Sequence, residues 1–156
     1  MSEMKHLKKE DLSLEHKEGT SDYEYYKRSF LPRGYAEQCI VNIYEIPPQK
    51  SAYPYHYHHK NEEVFYIIKG QGILKTPDGT REVSTGDLLY FPSNEKGAHQ
   101  LINTSLTEML IYIDFDTYHD IDIAIYPESK KIGVWGKDIN RLYKLNDYVD
   151  YYDDEI

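Results

Sequence analysis

Internal disulfides are excluded at the outset, because Cys39 is the only cysteine in the chain. Long hydrophobic runs are missing as well. No stretch approaches the length of a bilayer-spanning helix, and the opening MSEMKHLKKEDLSLEHKE has no apolar run of signal-peptide length. Together these absences predict a cytoplasmic protein. Positive charge is scarce: the formal net charge is −9 and no basic block exists to replace phosphate counterions. Nucleic acid and anionic membranes are therefore disfavoured as partners. Only four phenylalanines occur against 17 tyrosines, which suits strands whose rings line half-wet pockets and interfaces. No internal repeat is visible, and helical periodicity is almost absent.

What is present is a series of short apolar segments with turn chemistry between them. Residues 38–46 (QCIVNIYEI) alternate imperfectly and stop at Pro47 and Pro48. Residues 64–68 are apolar throughout, which predicts burial on both faces, and Gly70 and Gly72 then reverse the chain into residues 73–76. Pro77-Asp78-Gly79 turns into residues 81–83, and the turn ending at Asp87 leads to residues 88–91. Residues 98–102, 107–115 and 122–126 read as further strands. This pattern predicts an all-β antiparallel sandwich or barrel. At 156 residues the chain is one domain by length. It divides into an arm and docking segment over 1–35, a barrel over 36–126 and an extension with an acidic, tyrosine-rich tail over 127–156. The first 19 residues read as a mobile arm or one short turn, and residues 22–35 as a segment laid against a surface or crossing to a partner subunit.

The most informative stretch is PYHYHHKNEEVFYIIKGQG, residues 54–72. On a strand, side chains two apart share a face, so His56 and His58 converge while Tyr57 points away. Residues 86–103 (GDLLYFPSNEKGAHQLIN) add an isolated His99 in a strand-like setting. Three imidazoles with Glu63 make a mixed nitrogen and oxygen donor set for a divalent metal.

The two segments resemble the paired motifs of the cupin superfamily, here as a small single-domain member, or monocupin. The first motif, G(X)5HXH(X)3-4E(X)6G, is matched by His56, His58, Glu63 and Gly70, with Lys50 at the place of its opening glycine. The second, G(X)5PXG(X)2H(X)3N, is matched by Gly86, Pro92, His99 and Asn103, with a slightly longer turn and a shifted glycine between Pro92 and His99. The resemblance implies a double-stranded β-helix, or jelly roll, and one divalent transition metal per chain (Mn, Fe, Ni, Cu or Zn) held by His56, His58, Glu63 and His99. It also implies a small-molecule ligand or substrate inside the barrel. Cupin activities include dioxygenases, decarboxylases of the oxalate type and sugar-phosphate isomerases, and nothing in the sequence selects among them. The expectation is a metal-dependent enzyme acting on a small polar molecule, with a non-catalytic metal or ligand-binding sensor as the alternative. Cupin regulators are usually fused to a helix-turn-helix, and no such segment is present. No organic cofactor site is expected, and no residue is singled out as catalytic.

Neighbouring residues carry plainer readings. His59 and Glu62 face away from the ligands by alternation, and His6, His16 and His119 read as solvated surface histidines. Cys39 reads as a buried strand thiol: in the thiol dioxygenases of the superfamily a cysteine takes the place that Glu63 holds here. Among Tyr44, Tyr53, Tyr55, Tyr66, Tyr90 and Tyr112, sequence cannot separate pocket-lining from packing roles. Lys75 and Arg81 are the nearest strand-borne cations for a phosphate. Open sheet edges and residues 22–35 predict a homodimer formed by sheet extension.

Overall fold

The structure, a computed structural model, describes residues 2–156; Met1, the first residue of the expected arm, lies outside them. Among the described residues there are thirteen strands, two short 3-10 turns and no α-helix. In chain order the strands are β1 (Leu14–Glu18), β2 (Glu24–Leu31), β3 (Cys39–Ile46), β4 (Tyr57–His58), β5 (Glu63–Lys69), β6 (Gln71–Thr76), β7 (Gly79–Ser84), β8 (Leu88–Phe91), β9 (Gln100–Asn103), β10 (Leu110–Thr117), β11 (Ile121–Tyr126), β12 (Lys131–Gly136) and β13 (Asn140–Lys144). Among the described residues no helix is long and apolar enough to cross a membrane.

One wall of the barrel is an antiparallel sheet in the order β1-β2-β3-β10-β5-β8, and the other side is built from β7-β6-β9 and β13-β12-β11-β4. This is the double-stranded β-helix. Between the walls lies a core containing Ile46, Ile67 and Leu110, all fully buried, with Tyr44, Phe65, Leu74, Val83, Phe91, Leu101 and Tyr112 around them. Gly70 closes the β5–β6 reversal in the left-handed region (φ 98°), where a Cβ would lie 2.6 Å from the Met109 carbonyl oxygen.

Register decides what the large sheet presents inward. Across β3, β10 and β5 the facing rows are Tyr44–Tyr112–Ile67, Asn42–Asp114–Phe65 and Ile40–Asp116–Glu63. An apolar core therefore grades, within two residues along each strand, into a polar wall.

Two expectations are corrected. In place of a mobile arm, residues 14–18 form β1, which pairs with β2 along its whole length. Residues 64–68 are not buried on both faces: Phe65 and Ile67 are buried while Tyr66 and Ile68 are about two-fifths exposed. Tyr66 and Ile68 lie on the outer face of the six-stranded sheet, which is left partly open to solvent at β5, so an apolar run here reflects a greasy exterior rather than a second core. Residues 22–35 contribute β2, inserted between β1 and β3 of their own chain.

Candidate metal centre

Two distant segments meet through a backbone bridge. The His56 amide donates to the His99 carbonyl at 3.1 Å, and the His99 amide returns a bond to His56 at 2.9 Å. This pair joins the entry to β4 with the entry to β9. His58 lies on β4, and Glu63 opens β5. The longer turn of the second motif is taken up by a 3-10 turn over Glu95–Gly97. Gly97 packs so closely on the backbone of Pro92 that a Cβ would fall 1.7 Å from the Pro92 carbonyl oxygen. Only glycine fits there, which accounts for the shifted glycine.

Each imidazole is fixed through Nδ1. His56 Nδ1–H donates to the Pro54 carbonyl at 2.8 Å, His99 Nδ1–H to the Gly97 carbonyl at 2.8 Å, and His58 Nδ1–H to Asp122 Oδ2 at 2.6 Å. All three therefore carry their free lone pair on Nε2. Glu63 faces them: its Oε1 is 3.8 Å from His58 Nε2 and its Oε2 is 3.3 Å from His99 Nε2. Ligand atoms of His56, His58 and Glu63 all lie within 4.8 Å of one another. Phe91 stacks on His99 with ring centroids 3.6 Å apart, and Tyr126 stacks on His56 at 5.5 Å, so the rings have little freedom to turn away.

The electrostatics match this arrangement. Burial, reinforced by His58, pushes the His56 pKa down to about 3, and burial with His56 nearby holds His99 well below its usual value. Both rings are neutral and able to donate at ordinary pH. For His58, burial alone would lower the pKa, but the hydrogen bond to Asp122 and the charge of Glu63 outweigh it and the value is raised. Burial lifts Glu63 to about 8, with His58 opposing the shift and Asp116 and Asp122 adding to it. Three imidazole nitrogens and one carboxylate fit a borderline divalent ion. One observation speaks for a cation in particular: His99 Nε2 is buried and has no hydrogen-bond partner.

His56, His58, Glu63 and His99 are thus brought together. Glu62 points outward and accepts a hydrogen bond from Tyr90 at 2.8 Å, and His59 is exposed, both as alternation predicts. His119 is half-buried, contrary to expectation: its Nδ1–H donates to the fully buried Asn61 at 2.8 Å. Cys39, a free thiol, is only half-buried. Asn103 has no part in the site; its side-chain amide ties the Ile46 and Glu108 carbonyls at 2.8 Å each. Lys75 pairs with Glu128 away from the cavity. The cations at the cavity are instead Lys27 and Arg33, from residues 22–35.

The sequence reading missed Asp122 entirely. In IDIAIY, Asp122 alternates in phase with the buried Ala124 and Tyr126. An acid on the inward face of a strand was the available signal. Asp114 and Asp116 of LIYIDFDT carry the same signal, in phase with buried Leu110 and Tyr112. Beside the four candidate ligands is a cavity of about 360 Å³, lined by Asp114, Asp116, Asn42, Tyr44, Tyr112 and Trp135 among others. It is of a size suited to a small molecule.

Residues 42–115 match the family described as Cupin domain. An uncharacterized protein of Methanocaldococcus jannaschii is 34% identical over 58 residues, a stretch that spans 37% of this chain and 45% of that protein, so the chain spans less than half the length of this curated relative. Among solved structures, a candidate sugar phosphate isomerase of Acidithiobacillus ferrooxidans is 25% identical, with a TM-score of 0.76 over 90% of each chain. A sugar phosphate isomerase of the cupin superfamily from Silicibacter pomeroyi is 18% identical, with a TM-score of 0.73 over 83% of this chain and 82% of that one. With its jelly roll and both motifs in register, the chain carries a cupin domain over residues 42–115 and shares its fold, over most of its length, with solved structures of the cupin superfamily.

Proposed function

We propose that the protein is a divalent-metal-dependent enzyme acting on a small polar molecule in the barrel cavity, and that its reaction is an isomerisation of the sugar-phosphate type. The observation that carries the metal reading is the orientation of three imidazoles, each held at Nδ1 by an acceptor, with His58 and His99 turning Nε2 toward Glu63 and His56 contributing a ligand atom within 4.8 Å of those of His58 and Glu63. His56, His58, Glu63 and His99 would hold the ion. A bound ion would act as a Lewis acid on a substrate oxygen. The chain itself supplies a fixed donor set, an aromatic surround of Phe65, Phe91 and Tyr126 that limits water, and cationic side chains at the cavity. The reaction class is favoured by similarity to the Acidithiobacillus ferrooxidans protein over 90% of both chains.

Elemental analysis of purified protein, followed by proton–deuterium exchange at the carbon beside the carbonyl of five- and six-carbon sugar phosphates, tests the proposal. We expect about one transition-metal ion per chain, and His58→Ala should lose it together with any exchange. Unchanged metal content in that variant would overturn the ligand assignment. Metal-loaded protein that exchanges none of the substrates would leave a binding module in place of an enzyme.

We further propose a cytoplasmic homodimer. The exposed apolar residues Tyr66, Ile68, Leu88, Tyr90 and Phe115 on β5, β8 and β10 support an association through the outer sheet face. A monomer mass in light scattering would refute it.

A further inference from the structure

We propose that Asn42, Asp114 and Asp116 form a hydroxyl-binding subsite beside the metal ligands, and that Lys27 and Arg33 hold the anionic end of the same ligand, a polyol phosphate. The proposal rests on the enzyme reading above and names its substrate class.

Asn42 and Asp114 face each other across β3 and β10, and Asp116 faces Glu63 across β10 and β5. The subsite therefore shares one wall with the ligand Glu63. Asn42 and Asp114 are each only 5% exposed. Asn42 Oδ1, Asp114 Oδ1 and Asp116 Oδ1 are buried acceptor atoms that no N–H or hydroxyl of the described residues reaches, although the Asp114 and Asp116 carboxyls lie close enough to share a proton, and all three residues line the cavity. Buried acceptors without donors are costly unless something in the cavity supplies donors. Carboxylate oxygens of Glu63, Asp114 and Asp116 lie within 4.8 Å of one another, so the missing donors must be closely spaced.

Charge narrows the choice. An anionic group on this wall would meet three carboxyls. An ammonium group would sit among a divalent ion, Lys27 and the guanidinium of Arg33. Neutral donors avoid both conflicts, and adjacent hydroxyls have the required spacing. Lys27 lies opposite Tyr44 on β2, one row from Asn42. Arg33 is exposed and stands over the Tyr118 ring. Among the described residues neither cation is engaged in an ion pair. A phosphate would bind these two while the carbon chain reached inward.

The test is calorimetry on full-length, zinc-loaded protein with sorbitol 6-phosphate, sorbitol and inorganic phosphate. Sorbitol 6-phosphate should bind at least tenfold more tightly than either of the others. Asn42→Ala and Asp114→Asn should each weaken sorbitol 6-phosphate about tenfold and leave inorganic phosphate unchanged, whereas Lys27→Met should weaken both phosphates alike. Should Asp114→Asn fail to fold, Asn42→Ala gives the same readout. Equal binding of sorbitol 6-phosphate and inorganic phosphate would overturn the hydroxyl subsite, as would no binding of any probe. A second zinc equivalent lost in Asp114→Asn would overturn it too, because the acids would then form a cation site. Zinc content measured on the same samples separates this failure from that of the metal reading.

Discussion

Asp122→Asn is a nearly isosteric change that should disable the metal centre by altering one proton position. Asp122 is buried and accepts two hydrogen bonds, from His58 Nδ1–H at 2.6 Å and from the Lys60 amide at 2.8 Å. An asparagine has one acceptor oxygen for these two donors. If that oxygen stays with Lys60, whose backbone cannot move away, the amide NH2 faces His58 Nδ1. The ring then keeps its lone pair on Nδ1 and carries its proton on Nε2, aimed at Glu63 and the ion. Outer-shell partners of ligating histidines are typically worth 10–100-fold in metal affinity, or about 1.4–2.7 kcal/mol, and a tautomer reversal belongs at the upper end. Asp122→Ala separates this from simple destabilisation. It leaves two buried donors without an acceptor, at a stability cost of about 2–4 kcal/mol, yet it does not enforce the wrong tautomer. The asparagine variant should therefore be the more stable of the two and bind metal no better. Zinc competition against a chromophoric chelator, with nitrogen-15 shifts of His58 reporting the tautomer, reads both quantities. Metal affinity of Asp122→Asn within twofold of wild type would refute the reasoning.

The raised Glu63 carboxyl gives a pH signature. Its folded pKa of about 8 lies above the unfolded value of 4.5, so its contribution to metal-free stability is complete below pH 4.5 and is lost as pH rises toward 8. Metal-free Glu63→Gln should gain on wild type by up to ~1.4 kcal/mol per pH unit across that window, measured by urea unfolding at several pH values; a constant difference would sink the assignment. Gly97→Ala should lower stability by about 3 kcal/mol and release metal, since the displaced Gly97 carbonyl no longer holds His99; an unchanged melting temperature would show that the turn relaxes freely. Ile67→Ala, in the fully buried core beside Tyr112, should cost about 2–5 kcal/mol in denaturant unfolding, and a loss below 1 kcal/mol would contradict the packing described.

Much of the architecture was legible because strand physics is local. Alternation in residues 38–46, proline stops and glycine-bearing turns located β3 and β5 to β10 to within a few residues. The His-x-His spacing carried the ligand geometry in the same way, since a period of two aims both rings to one side. The apolar run 64–68 misled for a related reason: hydrophobicity records that a face is greasy, not whether anything covers it. β1 has five exposed residues and carries no burial pattern to read; pairing with β2 alone defines it.

The sequence by itself determined a β-barrel with His56, His58, Glu63 and His99 as candidate ligands, because those signals lie in short segments with fixed periodicity. Only the tertiary structure decided that Asp122, 64 residues from His58, sets its tautomer. It likewise decided that Asn42, Asp114 and Asp116 form one polar wall, and that Lys27 and Arg33 rather than Lys75 and Arg81 reach the cavity. The physical reason is that such partnerships depend on which strands become neighbours and in what register, and no local pattern encodes the distance between two strands that are far apart in the chain.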